Sequence, residues 1–289
     1  MDEFSLDRHA LRAAFERAAA SYDAAAVLQR EVGTRLLERL ELTTIAPKAV
    51  LDLGCGTGEH LPALRRHYPR ARLYAADLAL NMLAHARRRF RWWRRVPLAC
   101  VDVLRLPFAA GSFDFVYCNM VLQWCDDLDQ AFTELRRIVA PHGLLLFSTL
   151  GPDTLKELRA AWRTVDNFTH VNRFIDMHDI GDALIRTGFV EPVMDVEQLT
   201  LTYEKLEGLT GDLKSTGARN LTAGRPRALA GRSRRARLAA AYEEFRSDGR
   251  LPAAFEVVYG TAWTPAYLPS EILTPAERAA VLDPRGFGR

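Results

Sequence analysis

One stretch of this chain holds the residue types that chemistry needs: Ala49-Val-Leu-Asp-Leu-Gly-Cys-Gly-Thr-Gly58. Asp52 is a carboxylate inside an apolar run, Val50 to Leu53, and Gly54, Gly56 and Gly58 follow at alternate positions. The run reads as a buried strand, and the glycines as a tight turn into a helix beginning near Glu59. Lacking Cβ atoms, such a turn reaches dihedrals closed to other residues and lets a ligand approach the backbone. Asp52 stands at the strand's carboxyl end, the place where open α/β sheets bind ligands. A phosphate loop would end in Gly-Lys-Ser/Thr, whereas Gly58 is followed by Glu59 and His60. A carboxylate at a helix start suits a cationic ligand better than a pyrophosphate. A strand-turn-helix that binds nothing would carry the same glycines.

The elements that must position this loop alternate along the chain. Leu73 to Ala76 reads as a second strand ending at Asp77, and Leu98 to Val101 as a third, ending at Asp102-Val103. Phe115 to Cys118 is a fourth, followed by Asn119, Met120, Gln123 and Trp124, and Leu144 to Thr149 a fifth, after a turn at Pro141-His-Gly143. Helices over 80–91 and 127–139 lie between them. This alternation predicts an α/β fold with a parallel, doubly wound sheet. Each strand then ends in a polar residue on the ligand-binding edge. Residues 7–42 read as helix, open to a break at Ser21 and Asp23. That segment precedes the first strand and is expected to cover the cleft as a lid, with Tyr22 facing the ligand or packing at the helix junction. After Thr149 the pattern changes: helix over 153–187 interrupted near 167–173, strand over 190–203, helix over 204–216, a Gly- and Arg-rich loop over 217–237, helix over 234–246 and a last strand over 254–263. The strands near 191–201 and 254–263 are expected to pair antiparallel at one sheet edge. The tail, 266–289, carries little pattern.

Composition narrows the class. The 289 residues are 48% hydrophobic, enough for one large domain with a cap. Cys55, Cys100, Cys118 and Cys125 form no Cys-x-x-Cys pair; the last three fall in or beside apolar runs and read as buried free thiols. That usage fits a reducing compartment and argues against zinc. The acidic start, Met1-Asp-Glu-Phe-Ser, is not followed by an apolar h-region, and no run has the length of a membrane span. The expectation is a cytoplasmic protein without a membrane partner. Arginines cluster at 87–95, with Trp92 and Trp93 between them, and at 219–237. Such patches can bind nucleic acid, but a net charge of only +3 makes that an unlikely partner.

Read with Asp77 at the end of the second strand, the glycine loop resembles that of the class I S-adenosylmethionine (SAM) methyltransferases. The resemblance implies a Rossmann-like seven-stranded sheet, mostly parallel with the last strand antiparallel, under a helical cap. It implies that Asp52, Gly54, Cys55 and Gly56 hold the cofactor and that Asp77 accepts the two ribose hydroxyls. Leu78, Met82 and Val103 would pack on adenine, Asp102 accept from its amino group, and Asn119 and Gln123 complete the pocket.

Other blocks narrow the family. Phe15 to Gln29, Leu122-Gln-Trp-Cys125, Thr154-Leu-Lys-Glu-Leu158 with Trp162, Asn172-Arg-Phe174 and Leu213-Lys-Ser-Thr-Gly-Ala-Arg-Asn220 are similar to the malonyl-acyl-carrier-protein O-methyltransferases of biotin synthesis. The resemblance runs from about residue 9 to Pro265. It divides the chain into a lid (1–44), a methyltransferase domain (45–265) with a cap insertion near 153–187 and a basic loop at 217–237, and a tail (266–289). The implied reaction methylates the free carboxylate of a malonyl thioester on acyl carrier protein or coenzyme A. An ionised carboxylate needs no general base, so no catalytic His or Cys is expected; His60 and His178 read as structural or solvated. Arg173, in the cap, is the candidate to grip the carboxylate, and Tyr22, Trp124 and Trp162 to wall the cleft. The arginine clusters would steer an acidic carrier protein, or are solvated helix faces. Two alternatives keep the fold: methylation of another small acid, and a protein like the complex I assembly factor that hydroxylates arginine.

Overall fold

The computed structural model describes residues 6–89, 96–222 and 231–266. The chain opens with helices α1 (Arg8–Ala18), α2 (Tyr22–Ala25) and α3 (Val27–Glu38). Then come β1 (Ala49–Leu53), α4 (Leu61–His67), β2 (Arg72–Asp77), α5 (Leu80–Arg88), β3 (Leu98–Cys100), β4 (Phe113–Asn119), α6 (Leu128–Ile138) and β5 (Val139–Leu150). The carboxyl half adds α7 (Lys156–Arg163), α8 (Met177–Arg186), β6 (Val190–Tyr203), α9 (Leu206–Ser215), α10 (Arg232–Glu243) and β7 (Leu251–Trp263). Among the described residues seven strands form one sheet in the order β3-β2-β1-β4-β5-β7-β6. β7 alone runs against its neighbours, pairing antiparallel with both β5 and β6. The anticipated sheet and its antiparallel edge pair are both present.

Side-chain alternation along the strands splits the core. Val50, Phe115, Tyr117, Leu144 and Leu146 face one side, under α3, α4, α7 and α10. Leu51, Leu53, Val116, Cys118, Leu145 and Phe147 face the other, under α6 and α8. Helix α6 shows how local sequence sets an element. Asp127 accepts from the Gln130 amide at 2.8 Å as its cap, and Leu128, Ala131, Phe132, Leu135 and Ile138 form the buried stripe.

Several boundaries depart from the sequence reading. The leading helical region is broken twice, at residues 19–21 and again at Ala26, because the chain must bend around the glycine loop. Pro141-His-Gly143 is not a turn before β5 but an irregularity inside it, with His142 at φ 57° and Gly143 exchanging bonds with Thr264. Cys100 is a correction: it is exposed, because β3 is a three-residue strand at the sheet edge with no neighbour beyond it. Cys55, Cys118 and Cys125 are buried. Arg91, Arg94, Arg95, Trp92, Trp93, Arg225, Arg227 and the tail beyond residue 266 lie outside the described residues.

The turn after β1 shows why glycine is required. Gly54 has φ +72°, and a Cβ there would stand 2.1 Å from Val121 Cγ2. Gly54→Ala is therefore expected to cost about 3 kcal/mol, combining a disfavoured dihedral with a core clash. A thermal-unfolding scan checks this; an unchanged melting temperature would refute it.

Candidate active site

The loop is tied to β2 before any ligand is considered. The amides of Gly54 and Cys55 donate to the Ala76 carbonyl at 2.8 and 3.0 Å. The Gly56 amide donates to Asp77 Oδ2 at 2.8 Å, and the Ala79 amide to Asp77 Oδ1 at 2.9 Å. Asp77 thus fixes both the glycine turn and the start of α5. Asp52 is 2% exposed, and its Oδ2 has no hydrogen-bond partner among the described residues. Burial, with Asp77 nearby, pushes the Asp52 carboxyl up to about 8. Burial likewise pushes Asp77 up to about 6, against the lowering effect of the Ala79 and Gly56 amides. Among the described residues no Lys, Arg or His pairs with either acid. Asp52, held mostly neutral by desolvation, would ionise beside a cation, and the carboxylate of Asp77 nearby adds to the attraction. The orphaned Oδ2 and the open cradle at Gly56, where an added Cβ would meet only the Tyr22 ring at 3.8 Å, fit a cationic sulfonium ligand.

Two small pockets flank the loop. One, about 80 Å³, is lined by Gly54, Gly56, Asp77, Leu78, Met82 and Val103. The other, about 40 Å³, is lined by Asp52, Cys55, Asn119, Gln29 and His60. Both are tight because α1 and α2 lie over this edge of the sheet, held at three polar points. Arg8 pairs with Asp102 and donates to the Trp124 carbonyl at 3.0 Å. The Glu16 carboxylate accepts the Leu80 and Asn81 amides, both at 2.8 Å, capping α5 from outside. Asp23 accepts from Thr57 and, at 2.7 Å, from Arg89.

Beside these pockets lies a cleft of about 620 Å³. Phe15, Tyr22, Gln123, Trp124, Trp162 and Asn172 wall it, and Lys214, Arg219 and Arg235 bring cations to it. Tyr22 lines this cleft and both loop pockets. Phe15 meets Trp124 edge-on at 5.5 Å. Trp162 is stacked flat on His170 at 3.5 Å, and His170 Nε2 lies 2.7 Å from Asp166. A larger hollow of about 1100 Å³ lies across the segment 166–174, sharing Gln123, Trp162, His170 and Asn172 with the cleft.

The residues singled out in the sequence are distributed as follows. Asp52, Gly54, Cys55, Gly56, Asp77, Leu78, Met82, Val103 and Asn119 line the loop pockets. Gln123 faces the cleft and the hollow instead, donating to the Met120 carbonyl at 2.7 Å. Asp102 lines none of these spaces; its Oδ1 holds the Leu104 amide at 3.0 Å and Arg8. Tyr22, Trp124 and Trp162 wall the cleft, while Arg173 is exposed and lines the hollow. His60 packs as a structural residue, 5.9 Å from Tyr117 and seated where a Cβ on Gly33 would be, its pKa lowered by burial.

Residues 51–147 match the family model described as a methyltransferase domain. The chain is 53% identical over 273 residues to the malonyl-[acyl-carrier protein] O-methyltransferase of Gallionella capsiferriformans, covering 92% of this chain and 94% of that one. It is 52% identical over 271 residues to the protein of the same name from a Methylovorus strain, covering 91% of each. The chain belongs to the malonyl-[acyl-carrier protein] O-methyltransferase family. The crystal structure of the YcgJ protein from Bacillus subtilis shares the fold at a TM-score of 0.58, covering 80% of this chain and 99% of that one; at 14% identity it speaks for the fold alone.

Some site residues of this O-methyltransferase family member escaped the sequence. Arg8, Glu16 and Asp23 sit on polar helix faces that look like ordinary solvated surface, and only the packing of α1 and α2 brings them to the edge of the sheet where the pockets lie. His170 is silent in sequence and visible only as the stacking partner of Trp162. Met120, by contrast, is legible in the sequence from its place after the fourth strand, and it lines the cleft and one loop pocket. In the structure it has φ 57°, with its amide held by Ser148 Oγ at 3.0 Å. A non-glycine residue held there points to a site where the surroundings over-determine the backbone.

Proposed function

We propose that this chain transfers the methyl group of SAM to the free carboxylate of malonyl-acyl carrier protein, giving the methyl ester and S-adenosylhomocysteine. Family membership supports the acceptor. The observation that carries the geometry is that Tyr22 lines both the cofactor pockets and the 620 Å³ cleft, so donor and acceptor meet under the lid. The cofactor supplies a methyl carbon on a positively charged sulfur. Asp77 would hold its ribose and Asp52 would face its cationic amino acid end, while Leu78, Met82 and Val103 would pack on the base. The pockets of about 80 and 40 Å³ are smaller than the roughly 300 Å³ and upward of a small-molecule site. Both pockets adjoin the cleft through Tyr22, and α1 and α2, which cover them, are the elements whose displacement would enlarge them.

The chain needs no general base for this reaction, because the malonyl carboxylate is already ionised near neutrality. A carboxylate oxygen forms a bond to the methyl carbon as the carbon–sulfur bond breaks, and the charges on oxygen and sulfur both vanish. The protein's work is to exclude water and hold oxygen and carbon in line at about 3 Å. Tyr22, Phe15, Trp124 and the Trp162–His170 stack supply the dry wall. Burial pushes the Tyr22 hydroxyl well above its ordinary range, so it remains a neutral donor.

Arg173 is proposed to recruit the carboxylate through the hollow it lines. Arg173→Ala should raise KM for the malonyl thioester about tenfold with the cofactor Kd unchanged, the worth of one charged hydrogen bond. Unaltered kinetics would remove Arg173 from the site. The function itself is tested with radiolabelled SAM offered with malonyl-carrier protein, malonyl-CoA and trans-aconitate. Base-labile label on the carrier-bound malonyl group is the expected result. Label on aconitate alone would overturn the acceptor.

A further inference from the structure

We propose that the acidic carrier protein docks on the α10 side of the cleft, over Arg232, Arg235 and Arg237 with Lys214 and Arg219, and not on the basic end of α5. This inference rests on the proposed acceptor and goes further by choosing between two arginine clusters that the sequence leaves equivalent. Helix α10 reads Arg-Ser-Arg-Arg-Ala-Arg-Leu-Ala-Ala-Ala-Tyr-Glu, four arginines against one glutamate. Leu238 and Tyr242 bury its inner side, and Arg232, Arg235 and Arg237 are exposed. Arg234 is the exception, being held by Asp166 in the wall of the hollow. Helix α10 packs on α7, which packs on β7, and α9 packs on β6. The cleft opens among these elements: Arg235, Leu238 and Ala239 of α10 line it, as do Leu206, Lys214 and Arg219.

The acids at the cleft do not cancel this charge. Glu207 and Asp212, the latter accepting from the Tyr203 hydroxyl at 3.1 Å, stand against Lys214, Arg219 and Arg235 in the lining, and Arg232 and Arg237 outside it add two more positive charges. Helix α5 lies at the other end of the sheet, against β2 and β3. β2 is four strand spacings from β7, roughly 19 Å at about 4.8 Å each. Arg87 and Arg88 line none of the cleft, and Arg89 is spent on Asp23, Glu59 and the Thr57 carbonyl. At physiological salt the field of an exposed charge decays over about 8–10 Å, so Arg87 and Arg88, which line none of the cleft, act on its mouth less than the α10 arginines that border it. Helix α10 can steer an acidic surface there, because its charge borders the opening through which a tethered malonyl group must pass.

The test is the Kd of malonyl-loaded carrier protein, by fluorescence titration at about 0.1 M salt, with methyl-transfer kinetics on carrier-bound malonate, malonyl-CoA and malonyl-pantetheine. Arg232→Glu with Arg237→Glu, neither of which lines the cleft, is expected to raise the carrier Kd and KM about tenfold or more. Turnover of malonyl-pantetheine, which carries the arm without the protein, should be unchanged. Arg87→Glu with Arg88→Glu should change neither. Weakening by the α5 pair alone, or by neither pair, overturns the proposal. So does an equal loss on malonyl-pantetheine, which would mean a damaged cleft, or on malonyl-CoA, which would mean the arginines read phosphate and not a protein surface. A wild-type enzyme that binds the carrier with this pattern yet transfers no methyl to it would refute the acceptor assignment and leave the docking face standing.

Discussion

Replacing Asp77 by alanine is expected to weaken SAM binding by at least about 100-fold. The carboxylate does two jobs at once. Its oxygens take the Gly56 and Ala79 amides at 2.8 and 2.9 Å, which sets the glycine turn and the start of α5. The remaining lone pairs are proposed to take the ribose hydroxyls. Hydrogen bonds to a charged group contribute about 1.5–3 kcal/mol each, and about 1.4 kcal/mol is a factor of ten. Losing the bonds to two ribose hydroxyls gives about 3 kcal/mol, or about 100-fold, and freeing two backbone amides at the cradle adds to it. Asp77→Asn keeps the shape and one carbonyl oxygen but turns an amide N–H toward a backbone N–H, so it should fall between. Calorimetric titration checks both variants, with thermal scans to show that they fold. Affinity within about threefold of wild type for the alanine variant would move the ribose elsewhere.

The second large effect is on pH. A carboxyl raised to about 8 is mostly protonated at pH 7, and Asp52 is such a group. A cation placed against it favours the ionised form, so binding expels the proton. Affinity should therefore rise as pH rises from about 6 to about 8, by up to tenfold per unit for one proton released. Asp77, raised to about 6, steepens the rise at the lower end. The ligand's own amino group titrates as well, so the decisive quantity is the difference between wild type and Asp52→Asn. Titrations in two buffers of different ionisation enthalpy should show a proton released by wild type that the asparagine variant does not release. Equal proton counts would mean that Asp52 stays neutral in the complex and does not meet the cation.

Much of this site is legible in the sequence because its signals are local. Apolar runs of strand length, glycines at alternate positions after β1, and acids at the ends of β1 and β2 place Asp52, Gly54, Gly56 and Asp77 on one edge of a parallel sheet without any knowledge of long-range contacts. The antiparallel pair at the edge is legible for the same reason, from two long runs of strand character after the alternation ends. What the tertiary structure decides is whatever depends on which surfaces meet. Asp102 meets Arg8 because α1 folds back across 94 residues of sequence, and no periodicity announces that pairing. Arg173 and Asn172 are neighbours in the chain, yet only Asn172 lines the cleft, a matter of how the segment 166–174 threads between two hollows. Cys100 is exposed since β3 ends the sheet, and sheet order is not written in a three-residue run. Two arginine clusters look alike on paper. The fold puts Arg219 and Arg235 at the 620 Å³ cleft and the helix of Arg87 and Arg88 against β2 and β3, because charge acts through distance in space and the sequence records only distance along the chain.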